Sequence, residues 1–202
     1  MKKFPAIAII ELSSIATGIF TCDIMVKYSP VSLLRSGTVH NGKYIILISG
    51  TVAAVEEAYN RGISAGSDNI LDKVMIPDIH PAVYDSILGK KMPCKMESLA
   101  VFETSSIPAV ILSADSAVKG SDVNIVEIRL ADDIGGKGIV IYTGKLEEVE
   151  TAVELGKEAL IDKNKIINSS IMSRLNDDMA EQLDISTKFS DLDVKVLKDG
   201  EG

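Results

Sequence analysis

The chain has 202 residues, a formal net charge of −8 and 46% hydrophobic residues, with no Trp and only 4% aromatics. The acidic balance argues against nucleic acid as a partner, because phosphate neutralisation needs clustered Lys and Arg. No apolar run approaches the length of about 18 residues that a membrane span needs. The core must therefore be aliphatic, and a mean hydropathy of +0.22 points to apolar surface buried beyond a single chain, as in an oligomer.

The start, Met1-Lys2-Lys3-Phe4 followed by Ala6 to Ile10, imitates a signal peptide only faintly. The apolar run is short and Glu11 closes it, so Ala6 to Leu12 reads as a buried first strand. Ser13 or Ser14 then offers an N-cap hydroxyl. Apolar Ile15, Ile19, Cys22 and Val26 predict a helix over about 15–28, which Pro30 cannot continue. Val31–Arg35 and the β-branched Tyr44–Ser49 predict two strands, joined through Asn41-Gly42, a pair that tolerates positive φ in a hairpin. Thr51–Gly66 predicts a helix with Val52, Val55, Ala58 and Tyr59 on one face. Leu71–Ile76 predicts a fourth strand, and His80-Pro81 opens a short helix to Leu88. Gly89 to Lys95 is a linker.

The same order then recurs. Ala8-Ile9-Ile10-Glu11-Leu12-Ser13-Ser14-Ile15 returns as Ala100-Val101-Phe102-Glu103-Thr104-Ser105-Ser106-Ile107. At the same shift Cys22-Asp23 falls on Ala114-Asp115 and Lys27 on Lys119; after a short insertion Gly42-Lys43 falls on Gly136-Lys137 and Gly62 on Gly156. Strands are predicted near Leu99–Glu103, Val123–Arg129, Gly138–Thr143 and Lys165–Ser170, and helices near Ile107–Lys119 and Leu146–Leu160. The fold class is α+β: two tandem, non-permuted βαββαβ domains of ferredoxin-like order, over 1–91 and 92–180. Residues 181–202 form a charged C-terminal extension, expected to add a strand or to be partly disordered. Cys22 and Cys94 have no disulfide or metal-ligand spacing, which suits reduced thiols in a cytoplasmic chain.

These features together resemble the bacterial microcompartment shell domain, in its tandem form: the Ile-Glu-Leu/Thr-Ser first strand, the Asp-x-x-Val-Lys helix end, the Gly-Lys hairpin, Ala117-Val118-Lys119-Gly120-Ser121 and Ile134-Gly135-Gly136-Lys137. The resemblance covers roughly residues 6–178. It implies a homotrimer of two-domain chains that mimics a hexamer and packs laterally with other shell proteins around encapsulated enzymes. It also implies a central pore on the threefold axis, lined by the β2–β3 hairpin loops. Carried onto this sequence, the pore lining is Thr38, Val39, His40, Asn41 and Gly42 from copy one, and Asp132, Asp133, Ile134, Gly135 and Gly136 from copy two. Lys27 and Lys119, at equivalent helix ends, become tile-edge lysines; their plainer role is to complement the helix dipole. The family's Ile-Pro-Arg-Pro-His segment is replaced here by Ile76-Pro77-Asp78-Ile79-His80-Pro81 in copy one and Ile171-Met172-Ser173-Arg174 in copy two, so Arg174 alone matches the edge arginine.

His40 is the residue with most chemistry to offer. A threefold axis would present three imidazoles, which could hold zinc or a similar metal, titrate near neutral pH, or line an empty pore. Some relatives place a Cys at this point for an iron–sulfur cluster; thiolates are the usual cluster ligands, and His40 removes them. No cofactor is expected, with a metal or cluster at the pore as the alternative. Glu11 and Glu103 have no acid–base partner in sequence and read as caps for backbone amides. Gly135-Gly136-Lys137 lacks the P-loop spacing. No Ser/His/Asp or Cys/His constellation is visible, so no enzymatic activity is expected. The competing function is a ferredoxin-like regulatory module that binds a small molecule and does not assemble laterally.

Overall fold

The structure is a computed structural model and describes residues 6–94 and 97–194. Met1 to Phe4 of the signal-like start, Lys95 of the linker and the tail from 195 lie outside the described residues.

Copy one forms β1 (Ala6–Leu12), α1 (Ile15–Tyr28), β2 (Ser32–Val39), β3 (Lys43–Gly50), α2 (Val52–Gly66), β4 (Ile70–Ile76) and α3 (Pro81–Ile87). Copy two forms β5 (Ser98–Thr104), α4 (Ile107–Gly120), β6 (Asn124–Leu130), β7 (Gly138–Gly144), α5 (Leu146–Ala159), β8 (Ile166–Met172) and α6 (Asp177–Ile185). Each copy folds into a four-stranded antiparallel sheet, ordered β2-β3-β1-β4 and β6-β7-β5-β8. The registers repeat as well: Ile9 pairs with Leu47, and its counterpart Val101 with Ile141. Irregularities fall at matching places, after Leu33 and after Ile125. The helix starts are fixed by the expected hydroxyls: Ser14 accepts from the Thr17 N–H and Ser106 from the Ala109 N–H.

β1 is buried along its whole length because both faces of its sheet are covered. Ala8, Ile10, Ile46 and Ile48 point to α1 and α2, among Met25, Val55 and Ala58. Ile7, Ile9, Leu47 and Val74 point the other way, into a cluster with Ile79 and Val83 and with Ile107, Val110 and Ile111 of α4. That second face is the junction between the two copies. Strand alternation thus sorts one continuous apolar run into two separate cores.

Three expectations change. β2 runs to Val39, well past Arg35, because its ladder with β3 continues to Lys43. The helix over 15–28 is present, yet only Cys22 of its anticipated core stripe is buried; Ile15, Ile19 and Val26 are exposed. Gly18, Thr21, Cys22 and Met25 face the sheet instead, since Gly18 lets the helix close onto the Tyr44 ring and Met25 sits against Gly62. The tail holds no accessory strand among the described residues. It begins with helix α6, which spans the 180/181 position and is the counterpart of α3. His80 and Asn176 cap these two helices in the same way, each accepting from the N–H two residues on. Ala180 and Leu183 of α6 pack with Cys94, Leu99, Val126 and Ile141 on the outer face of the second sheet.

Candidate functional site: the copy junction and the paired hairpin loops

The junction is held by a buried charge. Glu11, fully buried, receives the Lys43 Nζ at 2.6 Å on Oε1 and the Ile107 N–H at 2.8 Å on Oε2. One carboxylate thereby neutralises a lysine of its own sheet and caps the first turn of α4 in the other copy. Capping of backbone amides is the role expected of this residue, and the N-terminal dipole of α4 favours it. Ser106, the N-cap of α4, also donates to Asp72 on β4. At the far end of the helix Asp115 accepts from the His80 N–H at 2.7 Å and pairs with Lys119 at 2.6 Å, while Lys119 donates to the Asp78 carbonyl at 2.5 Å. Lys119 is thus tied across the junction, with its side chain still 42% exposed. Among the described residues its counterpart Lys27 pairs only within its helix, with Asp23 at 2.6 Å. Arg174 is exposed on the turn after β8.

The hairpin loops of the two copies touch. In the first, His40, Asn41 and Gly42 form a single 3-10 turn, with Asn41 and Gly42 at positive φ as the Asn-Gly pair predicts. The second, 131–137, is longer and places Ala131, Asp133, Gly135 and Gly136 at positive φ. Asn41 Nδ2 donates to the Gly135 carbonyl at 2.8 Å, and the Asp133 N–H donates to His40 Nδ1 at 3.3 Å. Gly136 lies so close to the first loop that a Cβ there would sit 3.3 Å from the His40 carbonyl. Ten residues assigned to two separate loops by sequence therefore form one surface. Thr38, His40, Asn41, Gly42, Asp132, Asp133 and Gly135 are exposed on it; Val39 and Ile134 are half-buried and Gly136 is buried.

The strap after α6 also reaches this surface, which the sequence did not suggest. Lys188 pairs with Asp133 at 2.8 Å. That contact holds the Asp133 carboxyl below its usual range and raises the Lys188 ammonium above its own. Thr187 receives Arg129 on its carbonyl and hydroxyl oxygens at 3.2 and 3.3 Å, and donates its hydroxyl to Glu127 at 2.8 Å. Glu127 is held on its other oxygen by Lys91 of the linker at 2.9 Å.

The residues do not fit a thiolate-held cluster. Cys22 is buried between α1 and its own sheet and Cys94 is buried against α6, so neither belongs to the loop surface. Burial and the nearby Asp184 carboxylate push the Cys94 thiol up, away from the thiolate a ligand needs. Among the described residues no group of three His, Cys, Asp or Glu could hold a metal within one chain. On the loop surface the Asp133 N–H occupies the Nδ1 lone pair of His40, so the neutral ring carries its proton on Nε2 and must give up that contact before it can ligate a metal.

The BMC domain family matches residues 6–79 and again 98–175. The chain belongs to this family. It is 35% identical over 178 residues to the bacterial microcompartment shell protein PduT of Citrobacter freundii, covering 88% of this chain and 97% of that one. Among solved structures, a microcompartment protein from Desulfitobacterium hafniense superposes with a TM-score of 0.77 at 34% identity, over 88% of this chain and 99% of that one. A fused permuted hexameric shell protein of the RMM microcompartment superposes with a TM-score of 0.57 at 25% identity, over 79% and 83% of the two chains. The chain is thus a tandem BMC-domain shell protein, and the two folded copies coincide with the two BMC matches. Among the described residues no helix is long and apolar enough to cross a membrane.

Proposed function

We propose that three copies of this shell protein close into a six-domain ring, a non-enzymatic tile whose paired hairpin loops surround a central pore for small metabolites. One observation carries the reading. Residues buried at the junction inside the chain have exposed apolar counterparts in the other copy. Ile111 is 0% exposed and its counterpart Ile19 56%; Val83 is 0% exposed and its counterpart Met179 51%. Ile107 and Ile15, Val118 and Val26 follow the same rule. Free apolar surface that repeats the shape of a buried junction fits the next copy of the same junction, and a heterologous contact that closes makes a ring.

The intramolecular contacts then act as a template. Glu103 is paired with Lys137 at 3.3 Å, as Glu11 is with Lys43, but its second oxygen lacks the amide that Ile107 gives Glu11. In the ring it receives the Ile15 N–H of the next copy. With three copies, His40 and Asp133 recur three times about the axis, and three imidazoles released from their Asp133 contacts would be a candidate metal site in place of a cluster. Lys27, Lys119 and Arg174 lie at the outer edge, where neighbouring shell proteins meet.

Light scattering tests this directly. The expected mass is about three times the 21.6 kDa of the chain. A monomer or dimer would remove the axis and the pore with it. Metal analysis on the same peak then distinguishes an empty His40 ring from a liganded one.

A further inference from the structure

The second hairpin loop is gripped from two sides, and the two grips meet on one residue. Asp133 has a φ of +63° and Ala131 one of +60°, in the left-handed region that L side chains seldom adopt. Such conformations persist only where the surroundings hold them. Copy one supplies part of the hold, through His40 on the Asp133 N–H and Asn41 on the Gly135 carbonyl. The strap, residues 186–194, supplies the rest, through Lys188 on the Asp133 carboxylate.

The strap is itself anchored on both sides of that contact. Before it, Thr187 engages Arg129 and Glu127 of β6. Ser186 closes the turn around it, donating to Asp191 at 2.9 Å and accepting from the Lys188 N–H at 3.0 Å. These partners are peculiar to copy two. Arg129 faces Ile139 in the strand register, and the residue that faces the matching Ile45 is Gly37. The turn His40–Gly42 of copy one also contains no acid that could pair with Lys188. The strap therefore fits the second loop and not the first. Lys188 is also the cation that meets the loop's own charge. The loop carries two carboxylates, Asp132 and Asp133. Arg129, Lys43 and Lys137 are committed elsewhere, to Thr187, Glu11 and Glu103.

We propose that the C-terminal strap positions the acidic pore loop, with Thr187 as its anchor and Lys188 as a residue that sets the selectivity of the opening. Lys188 fixes the direction of the Asp133 carboxylate and cancels one of the loop's two negative charges. The pair stays part-exposed, at 44% and 55%, so its charge balance is felt by solutes in front of the loop. In a ring this happens three times, and the opening attracts cations less than its aspartates alone would make it. The statement about the opening rests on the ring. The hold of the strap on the loop lies within one chain and does not.

The test is amide hydrogen exchange on the intact protein. The amides of Ala131, Asp132, Asp133, Ile134, Gly136 and Lys137 all donate hydrogen bonds, so their exchange reports the closed form of the loop. Thr187→Val should speed exchange at 131–137 about tenfold, the worth of one hydrogen bond to a charged group. Lys188→Ala should speed it about threefold, because an exposed ion pair is weak. Lys188→Arg keeps the charge and should match the wild type. The charge is read by amide relaxation from a cationic and an anionic nitroxide of the same shape. Lys188→Ala should raise the cationic effect over the anionic one at the loop, and Lys188→Arg should not. Unchanged loop exchange in both Thr187→Val and Lys188→Ala would overturn the positioning role. Equal acceleration in β5 and β7 would overturn it too, since that is a general loss of stability. A nitroxide ratio unmoved by Lys188→Ala would overturn the charge role. Light scattering is read separately. A monomer whose loop responds would remove the pore and keep the strap's hold; a trimer whose loop does not respond would do the reverse.

Discussion

Replacing Glu11 by Ala is the sharpest perturbation of the junction. The carboxylate is fully buried, and its two oxygens serve two copies. Its loss leaves the Lys43 ammonium, 19% exposed, without its partner and the buried Ile107 N–H of α4 without its acceptor. Breaking a buried ion pair from one side costs about 3–5 kcal/mol. The partial exposure of Lys43 and its second contact, with the Ser105 carbonyl at 3.4 Å, place the cost at the lower end. The unsatisfied Ile107 N–H adds about 1 kcal/mol. We therefore expect Glu11→Ala to lose about 4 kcal/mol in urea denaturation, and Glu11→Gln about half as much, because the amide oxygen still accepts from Ile107. Glu103→Ala is the internal control. Within one chain its pair with Lys137 is part-exposed and worth at most about 1 kcal/mol. In a ring it would cap the neighbour's α1, so its cost should grow with protein concentration as copies associate. A Glu11→Ala loss under about 1 kcal/mol would refute the buried-junction reasoning.

Other outcomes can be checked alongside. Ile19→Lys puts a charge on the exposed face of α1 and should reduce the light-scattering mass toward one chain while leaving the circular-dichroism spectrum intact; an unchanged trimer would refute the template. Lys27→Ala with Lys119→Ala should keep the trimer but weaken sheets in electron micrographs, and normal sheets would remove the edge assignment. Gly138→Ala would set its Cβ 2.4 Å from Val110 Cγ1, so a clear drop in Tm is expected. Asp133 titrates low and Lys188 high. Their contact therefore contributes above the ordinary carboxylate pKa, near 4, and fades as the pH falls through the lowered value of Asp133; it fades again as the pH rises through the raised value of Lys188. Hydrogen-exchange protection at residues 186–191, relative to the intrinsic rate at each pH, should be greatest between those limits and should lose that dependence in Lys188→Ala.

Much of the fold was legible because duplication doubles every signal. Glu11 and Glu103, Ser14 and Ser106, Gly62 and Gly156 each recur in register, and the hairpin glycines announce their positive φ. The face that α1 turns inward was not legible. Ile15, Ile19 and Val26 form the better apolar stripe, yet small Gly18 and Thr21 are what a close sheet contact needs; a helix buried on two sides in one copy and on one side in the other gives a single pattern. The α6 helix could have been found, since Asn176 stands where His80 stands. The strap's contacts and the Glu11–Lys43 pair join residues far apart in the sequence, which local pattern does not carry.

The contact between Asn41 and Gly135 joins the tips of two loops from opposite halves of the chain. Duplicated halves that stay fused are free to diverge, because each tip needs to match only one fixed neighbour. A ring of six identical chains must place the same side chain at all six tips. In the proposed ring an imidazole would alternate with an acidic, glycine-rich loop, so the charge around the opening would vary with threefold rather than sixfold rhythm. A passing molecule would meet an orienting field, not a uniform collar.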